Sequence, residues 1–301
     1  MKLKNIILVT MVGFFLSACT EPSLESSSYG LNSQPALWVA SSKQSRVYLF
    51  GSIHVLPKEV KWYGPKLRES FEASEELVFE TLSSEENKNK FIAYGKKHGL
   101  LPDGKVISDY LTDSEYQRYT EIVELTKMDK YFANRMKPWL FYLSLNAVAT
   151  KELRRYGVDG IFEKAARKRG KRVASLESVQ SALSALSSTP LSKDIKNLKK
   201  MLNKPNSEEK RKKEILKKVE MVVSWTTGDT ERTERLLAQE TPSTMYNNVI
   251  IKRNNQWYSK IKQYLKKEQT TMIIVGQAHL LGRGNLIQKL KRDGYKVERV
   301  Q

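Results

Sequence analysis

The stretch Arg46-Val47-Tyr48-Leu49-Phe50-Gly51-Ser52-Ile53-His54 decides the fold. Its first half is a short apolar run of strand character, and it leads straight into a glycine and a histidine three residues apart. Upstream, Ala36–Ala40 is a second apolar run, separated by Ser41-Ser42-Lys43-Gln44-Ser45, so the two read as a hairpin. Downstream, Pro65 stands where a helix begins, the apolar spacing continues to about Glu75, and Leu77-Val78-Phe79 reads as a buried strand ending at Glu80. The same grammar returns near the C-terminus. Met272-Ile273-Ile274-Val275 is a continuous apolar run that leads into Gly276-Gln277-Ala278-His279. A helix around Leu286–Leu290 stops at Gly294, and Tyr295–Val300 alternates as a last strand. Two such units at opposite ends predict an α/β fold with a central mixed sheet, closed by its first and last units.

The chain between them is mostly helical, which predicts a large insertion over roughly 85–265. Thr112-Asp113-Ser114-Glu115 has the form of a capping box, and Pro138 opens a further helix. Asp159–Lys168 reads as a short helix, with Asp159 as its N-cap, and Arg172–Leu176 as a strand ending at Glu177. Helices follow from Ser181 to Trp225, then a single long one over Pro242–Lys267.

The 301 residues are 40% hydrophobic and 28% charged, enough to bury a core, so global disorder is excluded. One cysteine excludes a disulfide framework and a thiolate zinc cluster. That cysteine, Cys19, follows Lys2, Lys4, an apolar run over Ile6–Leu16, and Ser17-Ala18. The run is too short to span a membrane and suits a signal segment. Leu16-Ser17-Ala18-Cys19 resembles the lipobox of bacterial lipoproteins, which implies residues 1–18 as a lipoprotein signal peptide and Cys19 as the lipidated residue. Thr20 at the next position implies sorting to the outer membrane, facing the periplasm. Residues 19–35, rich in serine, read as a flexible tether, and 36–301 as the folded domain.

The formal charge of +19 invites a nucleic-acid reading. Without residues 1–18 the chain keeps 50 basic and 33 acidic residues, a net +17. An exported protein does not meet chromosomal DNA, so no nucleic-acid partner is expected. Ten Lys and Arg lie between Lys196 and Lys218, which reads as a solvated helical surface or as one that meets an anionic envelope surface.

Four expected strands end in ionisable residues: His54, Glu80, Glu177 and His279. Ligands collect at the carboxyl ends of strands in an open α/β sheet. Imidazole and carboxylate together are the donor set of divalent metals, and two His with one carboxylate leave a position for water. The same residues also suit plainer roles, with the histidines capping the following helices and the glutamates solvated at strand ends. His98, in Lys96-Lys97-His98-Gly99, reads as a surface residue.

Further motifs raise the specificity. The run Val47–Leu56 resembles the opening motif of the TraB/GumN family, which includes PrgY and the animal TIKI proteases. Glu80 is similar to the family's acidic residue after the next strand, and Arg135-Met136-Lys137-Pro138-Trp139 to its Arg-x-Lys-Pro-Trp signature. Gly157-Val158-Asp159, Leu176-Glu177, Arg253-Asn254 with Trp257, and Gly276–His279 resemble further family motifs, over about residues 36–301 in all. The acidic residue usual before Arg-Asn is Lys252 here. The resemblance implies a fold related to the erythromycin-esterase and haem-binding ChaN-like group. It also implies metal-dependent hydrolysis, as in the TIKI branch, with the two GxxH histidines and a glutamate essential.

The expected function is an envelope-anchored, peptidase-like hydrolase that uses a divalent metal ion, Mn, Co or Zn. His54, Glu80 and His279 are the expected ligands. Glu177 is expected to assist a water, and Arg135 and Arg253 to bind a peptide carboxylate or an oxyanion, or else to pair with Asp159 or Glu177 and orient the site. Asp159 and Asn254 are expected behind the ligands, and Trp139 in the core. The alternative is a non-catalytic envelope protein that binds a peptide or haem.

Overall fold

The computed structural model describes residues 22–27, 33–205, 207–240 and 243–301. The expected signal segment and Cys19 lie outside the described residues. Six strands form one sheet: β1 (Leu37–Ser41), β2 (Arg46–Ser52), β3 (Glu76–Phe79), β4 (Arg172–Ser175), β5 (Thr270–Gly276) and β6 (Lys296–Arg299), in the order β4-β3-β5-β2-β1-β6. β1 and β2 form the expected hairpin, with Ser41 opposite Arg46. β2, β5, β3 and β4 are mutually parallel, while β1 runs against both β2 and β6, so the sheet is mixed. The first and last units meet at its centre, where β2 and β5 pair over Arg46–Ser52 and Thr270–Gly276.

Strand periodicity divides the core between two faces. Leu49, Ile273 and Val275 pack on Trp257, Ile261, Leu286 and Leu290, which belong to the helices Lys252–Tyr264 and Leu286–Arg292. Phe50, Met272 and Ile274 point the other way, onto Phe71, Phe162 and Trp225. Trp225 lies in the last turn of the helix Glu208–Thr226 and donates its indole N–H to the Gly51 carbonyl at 2.7 Å. This bond satisfies a buried polar group where β2 turns toward His54.

The expected insertion is interrupted. The helix Val158–Lys168 and β4 return to the sheet, whereas Leu101, Tyr119, Trp139, Phe141, Ile195 and Leu198 build a separate helical core. The capping box at Thr112 is formed, and Pro138 opens the helix Pro138–Ala149. Within the expected tether, Leu24 is buried beneath the body, and the Trp62 and Tyr63 amides donate to the Ser27 carbonyl. An apolar side chain inside the serine-rich segment explains why that part packs.

Replacing Trp225 by Phe keeps most of the apolar contact and leaves the Gly51 carbonyl without its donor. A loss of about 1–3 kcal/mol is expected. Thermal unfolding of Trp225→Phe should show a melting temperature several degrees lower, with the folded-state circular dichroism spectrum kept.

Candidate active site

The parallel strands end along one edge, and that edge gathers the four candidate residues. Ser52 lies opposite Gly276, Ile274 opposite Phe79, and Phe79 opposite Ser175. His54, His279, Glu80 and Glu177 follow these positions by one to three residues. Both GxxH turns therefore face the same space.

His54 is held from behind by Asp159. Its Nδ1 bonds Asp159 Oδ2 at 2.7 Å, and Asp159 Oδ1 accepts from Ser52 Oγ at 2.8 Å. Asp159 is thus not the N-cap; that position is Gly157, and the Asp159 carboxylate in the first turn is directed to the histidine. The His54 loop is tied to the same segment by Val158 N–H donating to the Ile53 carbonyl. A Cβ on Gly157 would collide with the His54 carbonyl, so glycine permits this approach. The Asp159 charge raises the His54 pKa well above its ordinary value.

His279 is buried and held by Asn254. The Asn254 amide Nδ2 donates to the carbonyls of His279 and Gly284, at 3.2 and 3.1 Å. That fixes Oδ1 as the acceptor for His279 Nδ1, 2.6 Å away. The ring therefore carries its proton on Nδ1 and offers the Nε2 lone pair to the site. Burial pushes its pKa down to about 4, which keeps the ring neutral. Trp257 covers it, with ring centroids 4.4 Å apart.

Glu80 divides its oxygens. Oε1 accepts from the Gly276 N–H at 2.7 Å and stands 3.7 Å from His279 Nε2, while Oε2 accepts from Arg253 at 2.6 Å. Burial opposes its charge, but the imidazoles, Arg253 and the Gly276 amide outweigh it and hold the pKa at about 2.

Arg253 is a buried counter-ion. Its Nε donates to Glu177 Oε1 at 2.7 Å, one Nη bonds both Glu177 and Glu80, and the other approaches His279 Nε2 at 3.3 Å. The guanidinium lies over the Trp257 ring, 4.5 Å from its centroid. Glu177 is 7% exposed and its other oxygen accepts from Ser181 Oγ, so it positions Arg253 rather than facing a water. Arg253 is likewise bonded to internal partners, and of its two expected roles the pairing with Glu177 is the one formed.

Arg135 does not join the cluster. Its guanidinium bonds the carbonyls of Leu101, Pro102 and Lys105 and pairs with Asp103, so it closes a loop of the helical part. The expected long helix also differs: a π-helical turn over Asn247–Ile251 precedes Lys252–Tyr264. The wide turn shifts the helical phase just before Arg253, Asn254 and Trp257, all three of which are buried. No single-period pattern reports such a turn.

Gly276 keeps open the space between His54, Glu80 and His279. A Cβ there would stand 3.2 Å from Glu80 Oε1, 3.6 Å from His54 Nε2 and 3.8 Å from His279 Cδ2. Ser52, the Asp159 partner, carries no signal in a GxxH pattern because its position is unspecified. Beside the cluster, an open groove begins at Thr81 and Leu82, directly after Glu80, and is lined further by Lys88, Phe91, Arg154 and Val179.

The TraB/PrgY/gumN family model matches residues 36–299. The chain belongs to the TraB/PrgY/gumN family. No curated protein and no solved structure matches it. The matched region spans every strand of the sheet and all the residues of the cluster.

Arg253→Met would leave two buried carboxylates facing one another, at an expected cost of roughly 3–5 kcal/mol. Arg253→Lys should recover only part of it, because an ammonium cannot fork between Glu80 and Glu177. Chemical denaturation of the three proteins measures both. The pH dependence has a definite sign. A carboxylate with a lowered pKa contributes stability above its ordinary value of 4.5, and loses that contribution as the pH falls toward 2. The stability gap between the wild type and Glu80→Gln should therefore shrink across that interval in pH-dependent melts.

Proposed function

We propose that this protein is an envelope-anchored, divalent-metal-dependent hydrolase of peptide bonds. The observation that supports the reading best is the convergence of His54 Nε2, Glu80 Oε1 and His279 on the space that Gly276 leaves open. Both imidazoles have Nδ1 tied back, to Asp159 and to Asn254, so Nε2 of each is the nitrogen that faces the site; a ligand bond there would replace the Arg253 contact to His279 Nε2 and the proton that Asp159 favours on His54.

As the side chains stand, no group of three or more His, Cys, Asp or Glu among the described residues is closed into a metal-holding set. The donor chemistry and the room fit a metal nonetheless. Two donors on a tetrahedral ion with bonds near 2.1 Å lie about 3.4 Å apart, and Glu80 Oε1 and His279 Nε2 are separated by 3.7 Å. Arg253 occupies the other Glu80 oxygen and leaves Oε1 to the site. His54, Glu80 and His279 would hold Mn, Co or Zn. The bound ion would polarise a carbonyl and lower the pKa of a water.

The protein's own groups do the rest. Asp159 and Asn254 orient the two imidazoles. Arg253 and Glu177 hold the Glu80 carboxylate ionised and fixed. Trp257 shields His279 from water, and the groove beginning at Thr81 would carry an extended peptide toward the cluster. Hydrolysis adds water across the amide, giving a carboxylate and an amine. The location rests on Cys19 and the segment before it, which support a lipid anchor in the outer membrane.

Metal analysis of the chain from Thr20 onward should give about one equivalent after loading with manganese, cobalt or zinc, and markedly less for His54→Ala and His279→Ala. Equal metal content in all three proteins would refute the site. Gly276→Ala should weaken loading by about tenfold or more, since its methyl group enters the space between the ligands. Peptide mixtures followed by mass spectrometry should show chelator-sensitive cleavage. Metal retention without cleavage would instead make it a binding protein.

A further inference from the structure

The helix Glu208–Thr226 carries an apolar stripe on the side away from the body. Ile215, Leu216, Val219 and Val223 are 61%, 57%, 53% and 43% exposed. Their spacing places them within about 100° of one another around the helix, on one face. The opposite face holds Met221, Ser224 and Trp225, which pack toward the sheet, and Glu214, which pairs with Lys204. Arg211 and Lys218 border the stripe on one side and Glu220, paired with Arg232, on the other, and Lys212 and Lys213 lie in the turn before it. A single helix face of this size, exposed and with cations along one edge and in the turn before it, has the composition of an interfacial membrane helix. No helix among the described residues is long and apolar enough to cross a membrane.

We propose that this face docks on an anionic phospholipid surface, with the four apolar side chains among the acyl chains and the flanking Lys and Arg at the phosphates. Two observations choose that occupant. The first is where the N-terminal segment meets the body. The Gln34 amide and the Ser33 hydroxyl both bond the carbonyl of Thr226, the last residue of this helix. Further back, the Ser27 carbonyl accepts from Trp62, whose ring lies 6.4 Å from Trp225. Pro22 is three residues from Cys19, a reach of at most about 10 Å. A lipid on Cys19 would hold the body close to a bilayer, so that an exposed apolar face of this kind would have lipid within reach. The second is charge. The chain from Cys19 onward has a net +17, and Lys204–Lys218 holds seven basic residues against three acidic ones. Pairing this face with a second copy would bring like charges together, whereas an anionic surface neutralises them.

The lipid anchor belongs to the envelope reading above, so the test removes it. All core residues of the described structure lie between Leu24 and Val300, and the chain from Thr20 onward keeps them. This unlipidated chain is sedimented with vesicles of phosphatidylcholine containing one quarter phosphatidylglycerol, and with phosphatidylcholine alone. Binding to the anionic vesicles is expected, weakened at least about tenfold by Leu216→Glu with Val219→Glu, and weakened by raised salt. Both substitutions are on exposed positions, so an unchanged melting temperature is expected and separates lost docking from lost folding. Equal binding by the double variant would overturn the proposal. So would a concentration-dependent dimer, seen by sedimentation velocity and abolished by the same variant, which would assign the stripe to a second copy. Metal loading is unaffected in either case, so failure here leaves the hydrolase reading standing.

Discussion

The site depends on one ionic arrangement: a guanidinium, Arg253, between two buried carboxylates, Glu80 and Glu177. Each carboxylate follows a neighbouring parallel strand, and without a cation between them their burial would be prohibitive. Arg253 comes from a helix on one face of the sheet and reaches the strand ends because a π-helical turn re-phases it. With the charges balanced, Glu80 stays ionised and turns its second oxygen toward the histidines. The apolar core sets the strands in place, but this triad decides what the strand ends can do.

Much of the sheet was legible because it is written in local patterns. Apolar runs ending in Gly51–His54 and Gly276–His279, and the strand ends at Glu80 and Glu177, depend on neighbours in sequence. Pairings across the sheet do not. The order β4-β3-β5-β2 places Glu177 beside Glu80 and not elsewhere, and no periodicity reports it. Arg135 and Arg253 look alike as motif arginines, yet one closes a loop with backbone carbonyls and the other is buried between acids. Asp159 begins a helix, which suggests capping, but Gly157 holds that position and frees the carboxylate for His54. The local context of each was ambiguous, and tertiary partners decided it.

The cluster and the outer surface are coupled by architecture. Trp225, next to last in the exposed basic helix, donates to Gly51 near the end of β2, the strand that leads to His54. The helix whose outer face is proposed to meet a membrane and the strand that leads to His54 are thus joined by one hydrogen bond. A lipid-attached body held this way would keep a fixed orientation relative to the bilayer, and the groove beginning at Thr81 would keep a fixed direction of access.

The most direct measurement is anomalous diffraction from crystals soaked in manganese. A single peak within bonding distance of His54 Nε2, His279 Nε2 and Glu80 Oε1, with Arg253 still on Glu177, is expected. A structure in which the soaked ion binds elsewhere, while Arg253 keeps its contacts to both His279 and Glu80, would contradict a metal centre at these strand ends.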